Sequence, residues 1–303
     1  MKFLKRRQRL LLFLIFSYAA VAQQEHSKTD ARFEFLPAGL HFAPLKANPQ
    51  EARIGLFKYF GSSNLKVDIG NTIDIFGFSS GSSRVRWTVG IDFMAYAFVT
   101  GSQGLRLQVD ALNGFFGGNV AFSQTFGSNP DGSGGNRIQS RFRFLHLSAH
   151  MVDGHYNLST KQWLNNREPI PFTKDFGELT IAHELQSSAA SFRYYGGASY
   201  ATLVRPVELK HYAFLAGFEL AAGKLFARLF ERPSSLFIAD HFTISGNPVY
   251  QGSNQTQLGI KFGDWDGKGV VFYLAYYRGN NFFSEYFDER VNIVGAGFTV
   301  DFP

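Results

Sequence analysis

From Val85 to Val99 the side chains alternate. Val85, Trp87, Val89, Ile91 and Phe93 are apolar, Arg86, Thr88, Gly90 and Asp92 between them are polar or glycine, and Ala95, Ala97 and Val99 continue the apolar set. A period of two puts the two sets on opposite faces of one strand. The run is longer than soluble strands usually are. A tilted strand crossing a bilayer needs about 9–11 residues in lipid and often extends beyond it. Similar runs recur. Lys66, Asp68, Thr72 and Asp74 alternate with Val67, Ile69, Ile73 and Ile75, Asn71 being the exception, and Glu178, Thr180 and Glu184 alternate with Leu179, Ile181 and Leu185.

Such runs predict about twelve strands, near 52–60, 64–78, 84–100, 105–125, 137–152, 176–187, 189–203, 207–222, 234–245, 254–263, 268–279 and 289–302. The fourth changes parity near Leu112 and reads equally as two elements. The expected fold is all-β, a transmembrane antiparallel barrel of about twelve strands; an even count returns both termini to the periplasmic side. Ser79–Ser83 and Ser187–Ser188 then read as periplasmic turns, and Asp153–Asp175, the longest connection, as an outer loop. Gly127–Asn136 and Gly223–Pro233 are long for periplasmic turns.

Composition agrees. The chain is 17% aromatic, with 34 Phe, 31 Gly and no Cys, which suits a barrel facing lipid outside and water inside. Without cysteine there are no disulfides, thiolate metal sites or cysteine nucleophiles. The last strand carries an apolar comb, Val294, Ala296, Phe298, Val300 and Phe302, similar to the C-terminal signal read by the barrel assembly machinery. Pro303 departs from that pattern, which usually ends on the aromatic.

The first residues read as a signal peptide over 1–22: basic Lys2, Lys5, Arg6, Arg7 and Arg9, an apolar Leu10–Ala20, and an Ala20-Val21-Ala22 cleavage site. The expected route is Sec export to the outer membrane. The whole chain carries 30 Lys and Arg against 24 Asp and Glu. Five of those cations lie in 1–22, so the mature chain holds 25 against 24. Its basic pI is therefore poor support for nucleic-acid binding. Gln23–Asp30 is polar. Phe33–Pro49 contains Pro37, Pro44 and Pro49 among Phe33, Phe35, Leu36, Leu40, Phe42 and Leu45. Proline removes strand donors, yet the stretch is too apolar to float free. Residues 23–51 are expected to be a periplasmic or plug segment, and 52–303 the barrel.

Phe35–Pro49 (FLPAGLHFAPLKANP) resembles the opening segment of an uncharacterised bacterial family, domain-of-unknown-function family twelve-oh-seven, with further matching blocks at Arg141–Gly154, Arg193–Val204 and Tyr276–Phe302. The likeness covers most of the mature chain. It implies an outer-membrane barrel and supplies no reaction.

Two groups of residues could carry chemistry. On the fifth strand Arg137, Gln139, Arg141 and Arg143 share one parity, and Ile138, Phe142, Phe144, His146, Ser148 and His150 the other. A lipid-facing arginine costs about 2–4 kcal/mol at midplane, so the arginines belong in the lumen and His146, Ser148 and His150 on the outer wall, toward the extracellular rim. A His-x-Ser pair there resembles the arrangement in outer-membrane phospholipase A and lipid A deacylases. Ser148 would be the nucleophile, His146 (or His150) the base and Asp110 the orienting acid. The lipase-type continuation is missing, because Ala149-His150 follows the serine. The second group is the lumen set Arg86, Asp92, Arg106, Arg141, Arg143, Glu178, Glu184 and Glu219. It would cross-brace a closed lumen or set a pore's selectivity. His146, His150, His155 and His183 make a poor metal signature, and Gly132–Gly135 lacks the lysine and helix of a phosphate loop. No metal, cofactor or nucleic-acid partner is expected; the partners are outer-membrane lipids and the assembly machinery. The reading is thus a barrel with a structural, binding or transport role, with a lipid-acyl hydrolase as the alternative.

Overall fold

The structure, a computed structural model, describes residues 31–80, 85–102, 106–127, 135–152, 155–163, 166–223 and 232–302. A short strand β1 (Arg32–Phe35) precedes β2 (Ile54–Tyr59), β3 (Asn64–Ser79), β4 (Val85–Ser102), β5 (Arg106–Phe126) and β6 (Gly135–Met151). A two-stranded β7 (Tyr156–Asn157) and β8 (Gln162–Trp163) lies in the longest loop. Then come β9 (Phe172–Gln186), β10 (Ala190–Arg205), β11 (Tyr212–Ala222), β12 (Ser234–Gly246), β13 (Tyr250–Gly263), β14 (Gly269–Asn280) and β15 (Arg290–Asp301). All pairings are antiparallel between neighbours, and β2 pairs with both β3 and β15. The sheet therefore closes into a twelve-strand barrel with β1 as an addition outside that count. The near end holds the start of β2 and the stop of β15; the far end carries the loops 152–171 and 281–289.

Alternation determines what faces where. On β4, Thr88, Asp92, Met94 and Tyr96 are buried, while Trp87, Val89, Ile91 and Phe93 are exposed. On β6, Gln139, Arg141, Arg143, Leu145, Leu147 and Ala149 are buried, and Phe142 and Phe144 exposed. Buried here means turned into the lumen, so this protein holds charged and polar side chains together with an apolar cluster inside, and presents an apolar face outside. Closing the sheet leaves no hydrogen-bonding edge along its closed part, which is what lets strands stand in hydrocarbon.

All twelve expected strands form, and three details differ. The fourth is one strand, β5, and its parity change is a bulge. Val109 pairs with Val99 and Ala111 with Phe98, so Asp110 is the extra residue and both Asp110 and Ala111 face inward. The N-terminal stretch, expected to be a poor strand, gives four residues to β1, which pairs Arg32–Phe35 against Ser79–Phe76 before Pro37 ends it. β9 begins at Phe172 rather than 176, which takes Asp175 out of the loop and into the wall. The signal-peptide stretch 1–22, the polar 23–30, and most of Gly127–Asn136 and Gly223–Pro233 lie outside the described residues.

After β1 the chain turns among the inward-facing side chains. Phe42, Leu45, Ala47, Asn48, Glu51 and Ala52 are all buried. Gln139 Nε2 donates to the His41 carbonyl (2.8 Å), and the His41 amide donates to Asp74 Oδ2 (3.0 Å). Gln50 Nε2 donates to the Tyr96 hydroxyl (3.0 Å), which donates to the carbonyl of Phe282 in the far-end loop (3.1 Å).

Some inward rings pack closely against glycines of the neighbouring strand. A Cβ at Gly217 would fall 2.3 Å from the Tyr195 hydroxyl oxygen and 2.3 Å from the Asp240 carbonyl. Only glycine leaves room for the ring there.

Candidate functional site

The lumen is organised by ion pairs, some between neighbouring strands and some between a strand and the N-terminal segment. Arg141 on β6 grips Glu51 with two bonds, Nη1–Oε2 at 3.0 Å and Nη2–Oε1 at 2.5 Å. Arg143, two residues on and on the same face, donates through Nε to Glu178 Oε1 (2.8 Å), and its Nη1 lies 3.6 Å from Glu51 Oε1. Arg193 on β10 holds Glu219 on β11 through Nε (3.1 Å) and Nη2 (2.7 Å), and donates to the carbonyls of Ala43 (3.0 Å) and Pro44 (3.2 Å). The Lys46 amide donates to Glu219 Oε1 (2.7 Å). Phe42 sits between two guanidiniums, Arg141 at 4.6 Å and Arg193 at 5.7 Å from its ring centre. At the near end Lys46 and Lys261 share the Asp301 carboxylate, at 2.5 and 2.7 Å. Arg53 donates to the carbonyls of Leu45 and Lys46, both at 3.2 Å, and so fixes the segment's own turn.

A buried carboxylate is tolerable only when it is paired and hydrogen-bonded. Burial alone would push the Glu51 carboxyl up; Arg141 and Arg143 beside it outweigh that and hold it down at about 2. Glu51 is thus charged at any ordinary pH and welds the segment to β6.

Of the lumen residues expected from sequence, Asp92, Arg141, Arg143, Glu178, Glu184 and Glu219 are buried inside. Asp92 accepts from Thr72 (2.5 Å) and Asn119 (2.8 Å); Glu184 accepts from Arg137 (2.9 Å) and Ser191 (2.9 Å). Arg86 differs: it has the inward parity but is exposed at the near end, where β4 begins. The Arg106 side chain lies outside the described residues. Glu51 was not among the expected site residues. An acid in a stretch ending in a proline-rich turn carries no local mark of a partner on a distant strand.

The outer wall tells differently. His146, Ser148 and His150 face outward, as the parity requires. Asp110 does not join them: the bulge turns it inward, where it accepts from Thr100. The carboxylate that meets His146 is Asp175, directly across on β9, with Oδ1 2.6 Å from Nδ1. Ser148 stands opposite Thr173, and no hydrogen bond joins it to His146 among the described residues. The wall therefore holds a His–Asp pair, and the expected Ser148–His146–Asp110 chain is not assembled.

At the far end a second set of bonds ties the loops together. Arg167 holds Asp288 (2.6 Å) and Glu289 (3.0 Å), and its Nε donates to the Glu285 carbonyl (3.1 Å). The Ile170 amide donates to Glu285 Oε2 (3.1 Å), and Asn113 on β5 donates to Ser284 Oγ (2.7 Å). The loop 281–289, including its one 3₁₀ turn, is thereby held over the lumen. Beneath it, among Asn48, Arg143, Lys174, His241 and Phe282, is a cavity of about 150 Å³.

A family model described as "Protein of unknown function (DUF1207)" matches residues 19–302. No curated protein matches the chain. Two solved structures are similar. A bacterial polysaccharide outer membrane secretin is 11% identical, over 81% of this chain and 94% of that one, with a TM-score of 0.34. The outer membrane protein OprD from Pseudomonas aeruginosa is 9% identical, over 88% and 97%, with a TM-score of 0.27. At these scores neither carries an argument about activity.

Proposed function

Because the chain belongs to the DUF1207 family, whose description gives no activity, we propose from its geometry that it is an outer-membrane barrel plugged by its own N-terminal segment. Its role is then structural or ligand-binding, without general porin conduction. The observation that carries this is the buried Arg141–Glu51 pair, which fastens the segment across the lumen. Around it Arg193, Gln139, Asp74, Glu219 and Asp301 each hold a group of residues 41–46. A lumen cross-braced in this way offers no wide aqueous path.

Membrane placement is supported by the outer face. Ile69, Ile73, Trp87, Ile91, Phe93, Phe116, Phe142, Phe144, Leu179 and Ile181 all stand exposed on contiguous strands, a patch no soluble monomer of this size leaves in water. With the near end toward the periplasm, the long loop 152–171 faces outward. Val294, Phe298 and Phe302 are exposed on the outer side, which fits recognition of β15 by the assembly machinery. The lipid-acyl hydrolase reading draws no support from Ser148, which makes no hydrogen bond to His146 among the described residues.

The test is electrical and biochemical. The mature protein fractionates with outer membrane, migrates faster unheated than boiled in detergent gels, and gives no steady open-channel current in planar bilayers. Recovery in the soluble periplasmic fraction overturns the location, and a steady large conductance overturns the plug.

A further inference from the structure

β1 pairs with β3 on one side, and no strand lies along its other edge among the described residues. The Leu36 amide donates to the Ile75 carbonyl (2.8 Å). Antiparallel partners alternate between bonded and non-bonded pairs. Arg32 and Glu34 therefore turn their backbone groups toward β3, and Phe33 and Phe35 turn theirs to the open edge. The rings of these two phenylalanines are also bare, at 67% and 66% exposure.

The register carries both rings across the wall. Phe33 stands opposite Phe78, Phe78 opposite Trp87, and Trp87 opposite Phe122. The next outward row is Phe35, Phe76, Val89 and Val120. Phe33 and Phe35 each lie 5.7 Å from the Phe76 ring centre, Phe33 stacked on it and Phe35 tilted. β1 thus widens the apolar outer face, which the article's fold already turns away from the lumen. At the end of the wall Arg32 stands opposite Ser79 and Ser79 opposite Arg86, and both arginines are exposed.

Two requirements set the depth of this patch. Bare rings favour apolar surroundings. The unpaired amides and carbonyls of Phe33 and Phe35 need water, because an unmatched backbone group is costly in hydrocarbon. Only the boundary between acyl chains and head groups meets both, and aromatic girdles of barrels lie there.

We propose that β1 is a lipid anchor, with Phe33 and Phe35 seated in the interfacial layer of the leaflet at the near end. Leu36, at φ 52°, turns the chain after it, and by Phe42 the chain is buried in the lumen. The stretch that closes the lumen is then held on both sides of the wall, by ion pairs within and by phospholipid without. The anchor rests on the membrane placement proposed above.

The experiment uses the absence of native cysteine. Phe33→Cys and Phe35→Cys are made separately in the full mature protein, spin-labelled, and reconstituted in vesicles of phosphatidylethanolamine and phosphatidylglycerol. Collision with oxygen, which concentrates among acyl chains, is compared with collision with a water-soluble nickel chelate. Phe93→Cys on the outer face of mid-β4 and Val207→Cys in an exposed far-end turn are the references. The oxygen-to-nickel ratio at 33 and at 35 should stand several-fold above that at 207 and below that at 93. Each variant leaves the other ring in place, and heat-modifiable mobility reports its folding. A ratio at both positions equal to that at 207, with 93 in lipid, overturns the anchor and leaves the membrane placement standing. A nickel-accessible 93 overturns the placement and the anchor with it. A ratio equal to that at 93 overturns the interfacial depth, since the open backbone edge would then lie in hydrocarbon. Exclusion of both reagents, with dimers after cross-linking at either cysteine, puts a second copy on the edge and overturns lipid as its neighbour.

Discussion

Arg141 and Glu51 lie 90 residues apart and meet in the lumen through two parallel bonds, 3.0 and 2.5 Å long. Both side chains are almost entirely shielded from solvent, at 1% and 0% exposure. Breaking such a pair from one side strands a charge, which typically costs about 3–5 kcal/mol. Glu51→Gln and Arg141→Met should each lower stability by that order, read as a shift of the guanidinium unfolding midpoint in micelles. The double variant Glu51→Leu/Arg141→Met should recover much of the loss, because no charge is left alone. Strictly additive losses would show that the two residues do not act as a pair.

Acid should loosen the segment before it unfolds the wall. The Glu51 carboxyl is held from 4.5 down to about 2 in the folded protein. A depressed carboxyl contributes stability that is complete above its unfolded value and disappears as pH falls through the folded one. Channel current should therefore stay closed above about 4.5 and rise between there and 2. Glu51→Gln should be open more often at neutral pH and lose that component of the dependence. An identical pH profile in Glu51→Gln would assign the transition to other carboxylates.

The outer-wall residues should be chemically silent. Purified barrel should release no fatty acid from phospholipid or lipid A above a heat-killed control, across several detergents and divalent-cation conditions. Ser148→Ala and Asp175→Asn should leave that baseline unmoved. Release that disappears in Ser148→Ala would reinstate the serine as a nucleophile, with Asp175 in the place first given to Asp110.

Overpacking tests the lumen. Gly217→Val puts carbon where the Tyr195 hydroxyl and the Asp240 carbonyl already stand, each 2.3 Å from the first added atom. The ring must swing away from His241, whose Nδ1 lies 3.0 Å from its oxygen. A loss of about 1–3 kcal/mol is expected, with Tyr195→Ala restoring part of it in the double variant. A neutral Gly217→Val would show that the ring moves freely.

Strands were legible because lipid and lumen impose the same alternation along every one of them, and a run such as Val85–Val99 has no competing interpretation of equal length. A bulge is a single residue and leaves only a parity change, so the turn of Asp110 to the inside could be noticed near Leu112 but not resolved. Asp175 fell one residue before the strand predicted at 176, and that offset hid its pairing with His146. The arginines of β6 announced a polar lumen through the cost of exposing them to lipid. What answers them did not show, since Glu51 reaches Arg141 through tertiary placement that no local pattern records.

The clamp on Asp301 couples two features of the molecule that are distant in the chain. Lys46 and Asp301 are 255 residues apart, and every neighbouring pair of wall strands is joined along the chain except β2 and β15. Residues 41–53 lead directly into β2, and β15 pairs with β2 along that seam. The Asp301 carboxylate that receives Lys46 and Lys261 therefore stands on one of the two strands that close the sheet. Two lysines that would otherwise repel each other are held by an acid that arrives with the seam, so the same contact that seats Lys46 also favours the closed wall, and whatever opens the seam takes the acid away from both.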